Sequence, residues 1–169
     1  MKLFFEKIKR HRFGLLVLIG LLVVSISFLT RLFLLLVSDG ISELSFLSIL
    51  EAFLIGFFFD LINATYFIIP VLIYLWLCPE GIYNKQWHRY FLNFILFFFT
   101  SILIFSSISE WFFWEEFTTR FNFIAVDYLV YTTEVIGNIQ QSYAIEWYIG
   151  IALACSALIV YQFRSWTIQ

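Results

Sequence analysis

The chain has 169 residues, of which 62% are hydrophobic and 22% aromatic, while only 13% carry charge. Water-soluble domains have about 45–50% apolar and about 25% charged residues, so a fold of this size in water alone is excluded and the bilayer must act as part of the solvent. A net charge of −2 says little about partners by itself; no nucleic-acid partner is expected, and the distribution of charge is more informative.

The N-terminus is basic: Lys2, Lys7, Lys9, Arg10 and Arg12 precede an uncharged run from Phe13 to Thr30. Such a start also describes a signal peptide. The apolar run resumes after Arg31 as Leu32–Val37, longer than a cleavable core, which favours an uncleaved span at about 13–37. Arg31 is expected to snorkel to the interface. Asp39-Gly40 then makes a turn.

The next apolar stretch, 44–78, is interrupted by Glu51, Gly56, Asp60 and Asn63. It is too long for one simple span at about 1.5 Å per residue. We divide it into an interfacial helix at about 44–59 and a span at about 60–78, with a kink at Pro70. Two short spans, 44–62 and 64–78, are the alternative. A polar loop holds Lys85 and Arg89; spans at about 91–109 and 147–163 follow, the last closed by Arg164. The expected fold is therefore all-α: four transmembrane helices plus interfacial amphipathic helices, in one membrane domain covering 1–169.

Basic residues concentrate in cytoplasmic loops. With the interfacial division, all of Lys and Arg except Arg31 and Arg120 fall on one side. Segment 110–146 opposes one Arg120 to Glu110, Glu115, Glu116, Asp127, Glu134 and Glu146. This bias rejects the two-short-span alternative. It predicts a multi-pass protein of a bacterial inner membrane, with both termini cytoplasmic and 110–146 outside. Cys78 and Cys155 lie in apolar runs and read as reduced, buried thiols; His11 and His88 read as flanks facing headgroups. There is no metal-ligand constellation in the sequence, and no cofactor is expected in this chain.

Segment 110–146 is not a hydrophilic linker. Arg120, Asp127 and Glu134 recur every seven residues, close to two helical turns, beside an apolar stripe of Phe121, Ile124, Tyr128 and Tyr131. This pattern predicts a helix over 117–135 lying on the outer leaflet, with Glu116 one turn before Arg120 and able to pair with it. One reading is a solvated charged face. The sharper one gives Arg120 to a lipid phosphate, for which its planar fork is suited, with Asp127 and Glu134 positioning it. Asp60 and Glu51 are further candidate partners.

The stretch from Glu116-Phe-Thr-Thr-Arg120-Phe-Asn-Phe-Ile-Ala-Val-Asp127 to Glu134-Val-Ile-Gly-Asn138, followed by Ser142-Tyr143, resembles the membrane domain of lipoteichoic acid synthase-like phosphoglycerol transferases, of the sulfatase/alkaline phosphatase superfamily. Gly56-Phe-Phe-Phe-Asp60-Leu61 is similar to that family's second membrane segment. Ser142-Tyr143-Ala144 stands where the family pattern has Ser-Tyr-Pro. The resemblance implies five spans followed by an extracytoplasmic domain with a Ser or Thr nucleophile and a divalent metal. This chain is expected to be a truncated or split form, so no catalytic residue is carried over. The implied function is a membrane module that anchors a catalytic domain and presents an anionic, phosphoglycerol-headed lipid. Its partners would be membrane lipids and a separately encoded catalytic domain. The alternatives are a non-enzymatic partner subunit or remnant and, last, a small transporter, for which repeated halves are lacking.

Overall fold

A computed structural model describes residues 11–38, 45–130, 137 and 143–166, with backbone alone at 127–130 and 165. The described chain is all-helical: α1 (Gly14–Val37), α2 (Phe46–Leu77), the short α3 (Glu80–Tyr83), α4 (Gln86–Phe117), α5 (Phe123–Val130), α6 (Ile145–Phe163) and a closing 3-10 turn, Arg164–Trp166. Among the described residues α1, α2, α4 and α6 are long and apolar enough to cross a membrane. This is compatible with a multi-pass protein. Exposed Leu, Ile, Phe and Trp along α2, α4 and α6 suit an apolar solvent.

The expected break near residue 59 is absent. α2 runs through Glu51, Gly56, Asp60 and Pro70 as one helix of 32 residues. At about 1.5 Å per residue it measures about 48 Å, against an apolar bilayer core of about 30 Å. Ser45 caps its start, its side chain accepting from the Leu47 N–H. α4 is equally long and reaches Phe117, well beyond the expected end at 109.

α1 is the central helix, packing on α2 and α4, and α6 packs on α4. Leu15, Leu18, Ile19 and Val23 of α1 meet Ala64, Val71 and Leu75 of α2 and Leu92, Leu96 and Leu103 of α4 in one core. Gly20 lets the Ile68 methyl approach α1 closely.

Two layers of contact fix the antiparallel order. At the end where α1 begins, the Arg12 guanidinium donates to the Leu75 and Cys78 carbonyls, orphan acceptors at the C-terminus of α2. It also lies 5.0 Å from the centre of the Tyr83 ring. His88 is buried here rather than facing headgroups: it stacks on Tyr74 at 5.7 Å and lies 3.8 Å from the Cys78 sulfur. Cys78 is buried as expected, but Cys155 lies exposed on α6. Phe67 against Phe99 and Tyr74 against Phe91 join α2 to α4 in this half. At the opposite end α1 finishes, α2 begins and α4 finishes, and the polar side chains gather there.

Candidate functional site

Arg31 does not snorkel. About two turns below the end of α1, its guanidinium turns into the bundle and meets Asp60 of α2. One terminal nitrogen, Nη2, donates to both carboxylate oxygens, at 3.1 and 3.0 Å. Both side chains are 9% exposed. Asp60 thus interrupts an apolar run to neutralise a cation on the neighbouring helix, as intramembrane charges commonly do. Gly56 lies one turn before Asp60, and a Cβ there would overlap the guanidinium. The Arg31 guanidinium also lies 5.7 Å from the Phe53 ring centre. Its other terminal nitrogen, Nη1, is buried with no hydrogen-bond partner.

A second pair closes over the first. α4 ends at Thr118, which adopts the left-handed conformation (φ 51°) and sends its N–H to the Trp114 carbonyl at 2.8 Å. The chain then folds back, so that Arg120 pairs with Glu110: Nε donates to one carboxylate oxygen, and Nη2 to the other at 3.1 Å. Phe121 packs edge-on against Phe113 at 5.2 Å. Asn122 accepts from the Ile124 N–H at 2.9 Å and starts α5. The Glu110 hydrogen bond raises the Arg120 pKa above its ordinary value; burial opposes this, and the Glu110 and Asp60 charges add to it.

Between the pairs lies a cavity of about 380 Å³, within the range of small-ligand pockets. Arg31, Asp60, Glu110 and Arg120 line it with Asn63, Ser27, Thr30, Ser106 and Ser107. The Thr30 hydroxyl lies 2.9 Å from both the Ser107 hydroxyl and the Ile26 carbonyl, its one proton serving either acceptor, and so ties α1 to α4 at the cavity. A second cavity of about 210 Å³, also touching Arg31 and Arg120, continues toward Ser38, Ser48 and Trp114.

Of the sequence-derived candidates, the structure brings Asp60 and Arg120 to this cavity and leaves Glu116 out. Glu116 is exposed at the end of α4, and Glu110 takes its expected place as the partner of Arg120. Glu51 is exposed on α2. The expected continuous helix over 117–135 is interrupted at 118–122, so Arg120 precedes α5 rather than sharing a helical face with Asp127. The Asp127 side chain and the whole of Glu134 lie outside the described residues. Sequence reasoning missed Arg31 as a buried partner and Glu110 altogether. Opposite charges inside two consecutive apolar runs were the available signal for the first. For Glu110, ten residues before Arg120, no helical spacing rule applies. Among the described residues no group of three His, Cys, Asp or Glu is arranged to hold a metal ion.

The outer pair is partly solvated, with Arg120 40% and Glu110 11% exposed. Glu110→Gln should therefore cost only about 1 kcal/mol or less of global stability. Amide exchange at 118–122 should nevertheless quicken measurably, because the fold-back loses its latch. Unchanged exchange there would show that Phe121 alone holds the turn.

No protein-family model, no curated protein and no solved structure matches this chain.

Proposed function

We propose that this chain is the membrane module of a phosphoglycerol transferase-like enzyme, presenting an anionic phosphoglycerol-headed lipid at the outer face of a bacterial inner membrane. One observation carries the reading. Arg120, inside the stretch that resembles this family, lines the same polar cavity as Arg31 at one end of an otherwise apolar bundle. Arginine forks at a membrane face suit phosphate esters. With both termini cytoplasmic, as the basic residues favour, that end faces outward, toward a catalytic domain working outside the cell.

Topology supplies one test. Alkaline phosphatase fused after Asn122 should be active, and fused after Tyr83 inactive; the reverse would put the cavity on the cytoplasmic side and end this reading. Lipid choice supplies another. Protein extracted from membranes of mixed phosphatidylglycerol and phosphatidylethanolamine should retain the former several-fold in excess. Arg120→Ala should reduce that excess and Arg120→Lys restore it only in part, since Lys lacks the planar fork. Equal retention of both lipids would remove the headgroup role.

A further inference from the structure

The buried polar atoms of the residues around the cavity are not equally satisfied. All four carboxylate oxygens of Asp60 and Glu110 already accept from arginine. The unpartnered atom is a donor, Nη1 of Arg31, on a side chain more than nine-tenths buried. A buried guanidinium N–H without an acceptor carries a large desolvation cost, which an incoming acceptor would remove. Water can supply one acceptor. An anion with several oxygens supplies more, and the cavity that Arg31 lines is also lined by Ser27 of α1 and Ser106 of α4. A cation would have to compete with the two arginines for those carboxylates.

Access follows from the helix packing. The major contacts join α1 to α2 and α1 to α4, not α2 to α4. The ring contacts between α2 and α4 lie toward the end where α1 begins, at Phe67 with Phe99 and Tyr74 with Phe91. Beyond them Phe59, Asp60 and Asn63 of α2 and Ser106 and Glu110 of α4 line one cavity rather than a closed seam.

We propose that Arg31 Nη1, with Arg120 at the rim, forms an intramembrane phosphate site, filled by the phosphodiester of an anionic lipid that reaches it sideways between α2 and α4. This deepens the lipid-presenting reading above and rests on it: the lipid is held within the bundle by Arg31, and Arg120 is the outer contact. The ion pair with Asp60 orients the Arg31 fork.

The experiment is native mass spectrometry of the full chain released from nanodiscs of equal phosphatidylglycerol and phosphatidylcholine, with a parallel titration by glycerol 3-phosphate in detergent. Arg31→Gln/Asp60→Asn removes the site without changing net charge. Ser27→Phe fills the cavity and leaves both ion pairs in place, and it serves if the double variant fails to fold. The wild-type chain should retain phosphatidylglycerol, and either variant should lose it at least tenfold. If the variants retain the lipid and only Arg120→Ala loses it, the intramembrane site is overturned while the lipid reading survives at the surface. If glycerol 3-phosphate binds and is lost in the variants, but no lipid is retained, the phosphate site stands and the lipid source is overturned. Absence of both overturns both.

Discussion

Asp60→Ala is expected to destabilise the chain by about 3–5 kcal/mol, because it leaves the Arg31 guanidinium buried without its counter-ion. Reversible unfolding in mixed micelles would measure this. Arg31→Ala should cost a similar amount by stranding the carboxylate. Replacing both with apolar residues, Arg31→Met/Asp60→Leu, should recover most of the loss, since well-packed apolar side chains often equal or exceed a buried ion pair in stability. The two single costs should thus be strongly non-additive, the signature of direct coupling. The apolar double variant separates stability from function: it should fold and yet retain no anionic lipid. If the single variants cost less than about 1 kcal/mol, as a solvated surface pair would, Arg31 and Asp60 are not buried together.

Gly56→Ala is expected to destabilise by about 2–4 kcal/mol, despite the gain of about 1 kcal/mol that alanine brings to a helix interior. The added methyl would occupy the volume of the Arg31 guanidinium. That group ends a flexible side chain and can swing aside, so the cost arises from the lost ion pair rather than from a strained backbone. A specific consequence follows. In an Asp60→Ala background, where the pair is already gone, Gly56→Ala should be nearly neutral or stabilising. The same cost in both backgrounds would mean that the methyl clashes with α1 itself and that the glycine serves helix packing alone.

These two residues also explain what the sequence revealed and what it concealed. α1 and α6 are legible because their apolar runs are nearly uninterrupted and bounded by charge or turn residues. α2 is hidden at the positions that make the site, where its single helix carries polar residues. Glu51, Gly56, Asp60 and Asn63 look like the polar boundary of an interfacial helix when only the local pattern is considered. Their actual justification for Gly56 and Asp60 lies 25 and 29 residues earlier, in Arg31 on the neighbouring helix. A charge on one span cancels a charge on another, and local periodicity carries no trace of that. The last turns of α4 are hidden for a related reason. Glu110 reads as the start of a polar loop, yet it turns inward to Arg120, and the helix continues for two more turns under Trp and Phe side chains. The seven-residue recurrence of Arg120, Asp127 and Glu134 suggested one helical face, but the left-handed Thr118 breaks the helix first. Arg120 stands out in the sequence as the one cation of an acidic segment, but its fold-back onto Glu110 depends on a turn that spacing does not encode.

The claim that joins these observations is that the free nitrogen of Arg31 meets a lipid phosphate inside the bundle. Solid-state NMR dephasing between arginine side-chain nitrogen-15 and lipid phosphorus-31 addresses it directly. The measurement uses the chain in phosphatidylglycerol bilayers, with the Arg31 signals assigned by their loss in Arg31→Gln/Asp60→Asn. We expect strong dephasing of Arg31 at hydrogen-bond range, matched or exceeded by no arginine outside the cavity except those at the headgroup surface, and persisting when surface contacts are screened by high salt. An Arg31 signal that phosphorus does not dephase, beside surface arginines that it does, would contradict the account.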